Sequence, residues 1–311
     1  MKKSLKLSVL MAMMMGIHPS VLANPIQVTG DITYNYATVS QAGHHLHTNL
    51  LETCIYLDGT LNDNWSLKAR IENDQDFTDN DFEGKTEVNQ YWATGRVGGM
   101  RLLAGKAPQF LVNGNVYDET AKMVSLSYGK CVRYNAYYGE PEDFGFDKFY
   151  GASATLNLGT RWTLSAGYDK FENALASIEG FGIANNIPLG EDNAIWNAYI
   201  KHRYRDLAVD FTYLDSDKEN GYVVGASYKG ADAIKPGSFG LRANWYDQGN
   251  GTYVVHTMYG DKDMAGFKGY MLATDFTVAK NVVATVEYYD LENKVDKSDV
   301  DTVWSKLMIV F

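Results

Sequence analysis

After residue 23, no window of this 311-residue chain holds the roughly 18 consecutive apolar residues that a membrane-spanning helix needs, so no helical anchor is expected. Proline is scarce, with six residues in all, and no Pro-rich or Ser-rich linker separates plausible halves. One continuous domain is the expectation. Cysteine is scarcer still. Cys54 and Cys131 are the only two; neither sits in a CxxC pair, and both read as strand residues far apart in order, so free thiols are expected. Positive charge is in deficit, with 28 Lys and Arg against 38 Asp and Glu, which argues against nucleic acid as a partner. GxSxG and HExxH are missing as well. Their absence leaves only an outer-membrane type of barrel enzyme open, with His202 or His256 near a rim.

The basic start (Lys2, Lys3, Lys6), the apolar run from Leu7 to Ile17 and the Val21-Leu22-Ala23 end have the form of a secretory signal peptide, residues 1–23, cleaved after Ala23. The mature domain, 24–311, then carries 25 basic residues against 38 acidic ones, a net charge near −13.

Within that domain apolar residues recur at every second position, the spacing that gives a strand one apolar and one wet face. Ile26, Val28, Gly30, Ile32, Tyr34 and Tyr36 share one side of the first segment, and Val282, Ala284, Val286 and Tyr288 one side of a late one. Sixteen such segments are expected, near 26–38, 49–60, 65–73, 87–97, 100–106, 121–128, 130–138, 149–158, 161–170, 194–204, 207–214, 221–229, 238–247, 267–278, 282–290 and 303–311, with fourteen as the other count. Short joints (62–64, 98–99, 129, 159–160, 205–206, 230–236, 280–281) alternate with longer loops (39–48, 74–86, 107–120, 139–148, 171–193, 215–220, 248–266, 291–302). Antiparallel neighbours with turns on one rim and loops on the other produce this alternation. A secreted β-sandwich has no reason for it, nor for aromatic residues at so many strand ends (Trp65, Trp162, Trp196, Tyr213, Tyr228, Trp245, Tyr288, Trp304). The expected fold is therefore all-β: an antiparallel transmembrane β-barrel.

The chain closes on VWSKLMIVF. In hydrocarbon every backbone group must be paired, so the last strand has to close on the first. Leu307-x-Ile309-x-Phe311 resembles the C-terminal signature of bacterial outer-membrane proteins, which implies recognition by the barrel-assembly machinery. GYMLATDFTVAKNVVATVEYYDLENK followed by WSKLMIVF resembles the last three strands of porins of diderm Firmicutes, the S-layer-homology porin family. That family often carries an S-layer-homology module before its barrel. Here the module is missing, which puts a peptidoglycan-tethering role in doubt.

A barrel of about sixteen strands is too wide for side chains to fill. Lys68, Arg70, Arg96, Arg133, Lys201, Arg203 and Arg242 fall on the polar face, and a charge facing lipid costs roughly 2–4 kcal/mol near the midplane, so these residues are expected to line a wet lumen. The loop in KAPQFLVNGNVYDET occupies the position from which general porins fold a segment into the pore. Phe110, Leu111 and Val112 are expected to pack inside, Asn113-Gly114-Asn115 to turn, and Asp118 and Glu119 to face a basic wall of Lys68, Arg70, Arg96, Arg101 and Arg133. The resemblance implies passive diffusion of small hydrophilic solutes and ions through the outer membrane of a diderm bacterium, in a homotrimer, with no cofactor and no catalysis. A substrate-specific channel lined by Trp92, Tyr137 and Tyr289 is the second reading, and a barrel enzyme the third. No metal site is assigned. DQDFTDND (Asp74–Asp81) fails the EF-hand pattern, with Asp79 where Gly is needed and Lys85 where Glu is needed. His44, His45 and His47 lack a fixed carboxylate or thiol partner, and GMRLLAGKA lacks the hydroxyl residue of a P-loop.

Overall fold

The computed structural model describes residues 25–41, 44–78, 84–141, 145–175, 187, 189–257 and 265–311. The signal peptide lies outside them, as do Asp79 and Asp81. Sixteen antiparallel strands follow one another: β1 (Gln27–Gln41), β2 (His44–Asn62), β3 (Trp65–Asp76), β4 (Lys85–Val97), β5 (Met100–Leu111), β6 (Tyr117–Tyr128), β7 (Val132–Pro141), β8 (Phe146–Leu158), β9 (Trp162–Ala174), β10 (Asn193–Tyr204), β11 (Leu207–Ser216), β12 (Asn220–Lys229), β13 (Phe239–Gln248), β14 (Phe267–Ala279), β15 (Val282–Asn293) and β16 (Asp299–Val310). Each pairs with its sequence neighbours, and β16 pairs with β1 to close the cylinder.

All sixteen expected strands are present, and most run further toward the loop rim than the alternation indicates. β1 and β2 pair through Gln41↔His44, so His45 and His47 are strand residues, and the His45 ring nitrogen Nδ1 shares a 2.8 Å hydrogen bond with the Ser40 hydroxyl. Beyond the hydrocarbon both strand faces meet water, so the backbone ladder continues after the apolar signal has ended.

The register fixes which face is which. Tyr34, Tyr91, Leu126, Trp196, Phe211, Leu241 and Leu307 are exposed on the outside, while their odd-even counterparts point inward. Toward the loop rim nine successive strands each present one outward aromatic: Tyr138, Tyr150, Tyr168, Trp196, Tyr213, Tyr222, Trp245, Tyr270 and Tyr288. Trp304 does not belong to this girdle. It pairs with Ala37 and Glu287 on the lumen face, with the Lys306 ammonium 5.1 Å from its ring centre.

Closure is completed by the last residue. The Phe311 N–H donates to the Gly30 carbonyl and the Gly30 N–H to the Phe311 carbonyl, both at 2.9 Å. A Cβ on Gly30 would sit 2.5 Å from the Phe311 ring and 2.7 Å from the Cys54 carbonyl, so only glycine leaves room for the terminal ring. Neither thiol is bridged. Cys54 is buried on β2, and Cys131 lies exposed in the β6–β7 turn, because β7 starts two residues later than the apolar pattern indicates.

Candidate functional site

The β5–β6 hairpin leaves the wall. β4 pairs with β3 out to Lys85, but its pairing with β5 stops at Tyr91↔Lys106. β5 and β6 continue together from there to Leu111↔Tyr117 around a 3-10 turn at Val112–Gly114. Gly105 stands at the departure point with φ 138°, a conformation other residues rarely adopt. The hairpin tip goes inward because one of its faces is apolar. Ala107, Leu111, Val116, Tyr117 and Ala121 pack on Phe146, Phe149, Phe171, Ile195 and Leu214 of the β8–β11 wall. The Tyr117 ring stacks on Phe149 at 5.7 Å, and Phe149 on Phe171 at 5.9 Å. Leu111 is buried as expected, whereas Phe110 is 56% exposed. The alternation explains this: Phe110 is one residue out of phase with the apolar face.

A second loop, within the stretch 248–266 where the turn spacing predicts an outer loop, also enters the barrel. The Val254 N–H donates to the Val116 carbonyl at 2.8 Å, Asp118 N–H to Val255 at 3.0 Å, and Thr257 N–H to Gly114 at 2.9 Å. Gln248 Nε2 donates to the Asn115 carbonyl at 3.1 Å. The loop is seated by His256, whose ring is met edge-on by Tyr246, Tyr253 and Phe267 and whose Nε2 lies 3.0 Å from Gln248 Oε1. Burial drives the His256 imidazole down to about 3, so it is neutral at ordinary pH. The run Tyr253-Val254-Val255 inside an otherwise polar loop was the available signal for this insertion.

Adjacent strand residues point to opposite faces, so Asp118 and Glu119 separate. Asp118 shares its face with Thr120, whose hydroxyl accepts a 2.9 Å hydrogen bond from Gln90 Nε2 on β4. Glu119 lies on the side of Tyr117, its carboxylate accepting from the Thr120 N–H at 2.9 Å. The basic residues are divided too. Lys68 pairs with Asp58 at 2.5 Å, Arg70 with Glu72, and Arg242 with Glu287 at 2.8 Å and Asp275 at 3.4 Å, all on the lumen face. Glu72 also accepts from Asn89 Nδ2 and, with Glu52, from the Cys54 thiol. Lys201 stands opposite Asp210 in the ladder. Arg96, Arg101, Arg133 and Arg203 lie within two residues of the short turns, at the far mouth from the hairpin tip.

Tyr137 and Tyr289 are buried, their hydroxyls donating to Asp169 and Glu287, and Trp92 packs against the hairpin's apolar cluster. His202 faces outward with its ring 4.1 Å from that of Trp162. Among the described residues, Asp31, Glu52 and Cys54 bring three ligand-type atoms within 4.8 Å of one another, but the Cys54 thiol is already donating to Glu52.

No protein-family model matches the chain, and no curated protein sequence does. The S-layer-homology resemblance therefore has no family match behind it. Solved structures do match in fold. OprB of Pseudomonas putida is 10% identical, with a TM-score of 0.64 over 94% of this chain and 96% of that one. A mutant of the Rh. blastica porin is 14% identical, with a TM-score of 0.56 over 92% of this chain and all of that one. A loop-deleted OmpT, an outer membrane protein of Vibrio cholerae, is 14% identical, with a TM-score of 0.58 over 91% and 99%. At these identities the likeness is one of fold.

Proposed function

We propose that the barrel sits in an outer membrane and passes small hydrophilic solutes and ions by passive diffusion. The observation that carries this is the division between the two faces of one closed sheet: Tyr, Leu, Val and Phe exposed outside, and Lys68, Arg70, Glu72, Lys201, Asp210, Arg242 and Glu287 inside. Charges on that inner face stay solvated only if water fills the middle. The constriction lies between the Asp118 face of the hairpin and the β3–β4 wall carrying Lys68 and Arg70. Because those two cations are already paired with carboxylates, selectivity there is weak. Assembly begins from Leu307, Ile309 and Phe311 on the barrel-assembly machinery, the mature chain 24–311 reaches the membrane after loss of 1–23, and the working unit is a homotrimer without cofactor or catalytic step. Kinship with the S-layer-homology porins is part of the same proposal and rests on the last three strands.

Reconstitution in a planar bilayer tests the reading. Ohmic, non-saturating conductance is the expected result. Conductance blocked by one solute class would mean a specific channel, and none at all would remove the diffusion role.

A further inference from the structure

Five arginines mark the mouth that carries the short turns. Arg96 and Arg101 are direct cross-strand partners flanking the β4–β5 turn, and Arg133 is the second residue of β7. Arg161 stands in the β8–β9 turn, where its carbonyl accepts a 2.8 Å hydrogen bond from the Arg203 N–H at the end of β10. The register places Arg101 with Ser127, Arg133 with Thr155, and Arg203 with Ala208, all on the lumen face. All five are exposed. Among the described residues none of them is ion-paired, in contrast to Lys68, Arg70 and Arg242 higher in the lumen. Of the acids near this mouth, Asp58 is held by Lys68, and Asp63 and Asp206 lie in turns.

The arc covers β4 to β10. Neighbouring strands are about 4.8 Å apart, so Arg101 and Arg133, two strands apart, anchor side chains about 10 Å from one another. That is comparable with the screening length of about 8–10 Å at physiological salt, so their fields add. Like charges placed directly opposite, as Arg96 and Arg101 are, oppose sheet pairing. An anion spanning two stations removes that repulsion, and guanidinium groups bind phosphate oxygens in bidentate fashion.

We propose that this arc is an anion-binding station at the turn-side mouth, separate from the loop constriction, and that it takes compact multivalent anions of the polyphosphate and phosphorylated-solute class. The inference rests on the channel reading for its role in transport, but the binding itself does not need conduction.

Tripolyphosphate is the probe. Single channels are recorded with tripolyphosphate in one chamber, and orientation is read from reaction of a bulky maleimide with Cys131, which is exposed at the same mouth while Cys54 is buried. Turn-side addition is expected to block at a concentration at least about tenfold below loop-side addition. Raising salt from about 0.1 M to about 1 M, which shortens the screening length to about 3 Å, should abolish the difference. The Arg101→Ser, Arg133→Ser, Arg203→Ser triple variant should lose sided block and keep open conductance; if it does not assemble, Arg133→Ser alone should weaken block about threefold. Lys235→Ser and Lys280→Ser, at turns outside the arc, should change nothing. Equal block from both sides, or sided block that survives in the arginine variants, would overturn the station. If the wild type does not conduct, the diffusion role fails alone: titration calorimetry of the detergent-solubilised protein then decides, with saturable tripolyphosphate binding lost in the variants supporting the arc and no binding overturning it.

Discussion

At the scale of single residues, the seam of the cylinder depends on one missing side chain. Gly30→Ala places a methyl against the Phe311 ring and the Cys54 carbonyl, and one of them has to move. The expected outcome is slower assembly, seen as a smaller fraction of protein that keeps the compact, heat-modifiable mobility on a gel. In the lumen, Arg70→Ala leaves Glu72 without its guanidinium partner. The reversal potential in a salt gradient should move toward cations, and an unchanged value would take Arg70 out of the conduction path. His256 makes a pH prediction whose sign follows from its neutral, buried state. An undocked loop binds a proton near 6.5 and the docked one only near 3. Docking is therefore at full strength above about pH 6.5 and weakens as pH falls toward 3, by up to about 1.4 kcal/mol per unit. Conductance noise should rise on acidification across that window, and His256→Gln should flatten the profile.

At the scale of elements, the inward hairpin is a packing event before it is a functional one. Its apolar face needs a partner, and the aromatic wall of β8 and β9 supplies it. Phe149 is fully buried between Tyr117 and Phe171, so Phe149→Ala should cost about 3–5 kcal/mol of hairpin docking. Larger and noisier conductance is expected, with the barrel itself intact, because each strand keeps its backbone ladder. Unaltered conductance would mean that the second loop, through its bonds from Val254, Val255 and Thr257, holds the tip alone. The hairpin was legible in advance because KAPQFLVNGNVYDET holds too many apolar residues for a water-exposed loop. Its phase was not, since Phe110 and Leu111 are equally apolar and only the pairing Leu111↔Tyr117 decides which one faces the wall.

At the scale of the whole molecule, the apolar side of a single sheet is turned outward all the way round. Strands of 10 to 19 residues tilted in a cylinder are long enough to cross an apolar band about 25 Å tall. The purified protein should therefore precipitate when detergent is withdrawn and should be retained by lipid vesicles on flotation. A freely soluble monomer would refute the membrane assignment outright. Chemical cross-linking in native-like bilayers, resolved as one, two and three copies, checks the trimer.

Alternating hydropathy, turn spacing and the terminal Phe311 were enough to put sixteen strands ahead of fourteen and to mark the apolar face and the seam, because each is a local consequence of a two-residue period and of hydrocarbon's intolerance of unpaired backbone. Only the tertiary structure decided which charges meet. Arg70 finds Glu72 and Arg242 finds Glu287, while Arg96, Arg101, Arg133 and Arg203 have no ion-pair partner among the described residues at the opposite mouth. Height along the barrel axis depends on strand register and on how far each hairpin climbs. Only hydrogen bonding between neighbouring strands sets that, and periodicity carries no record of it.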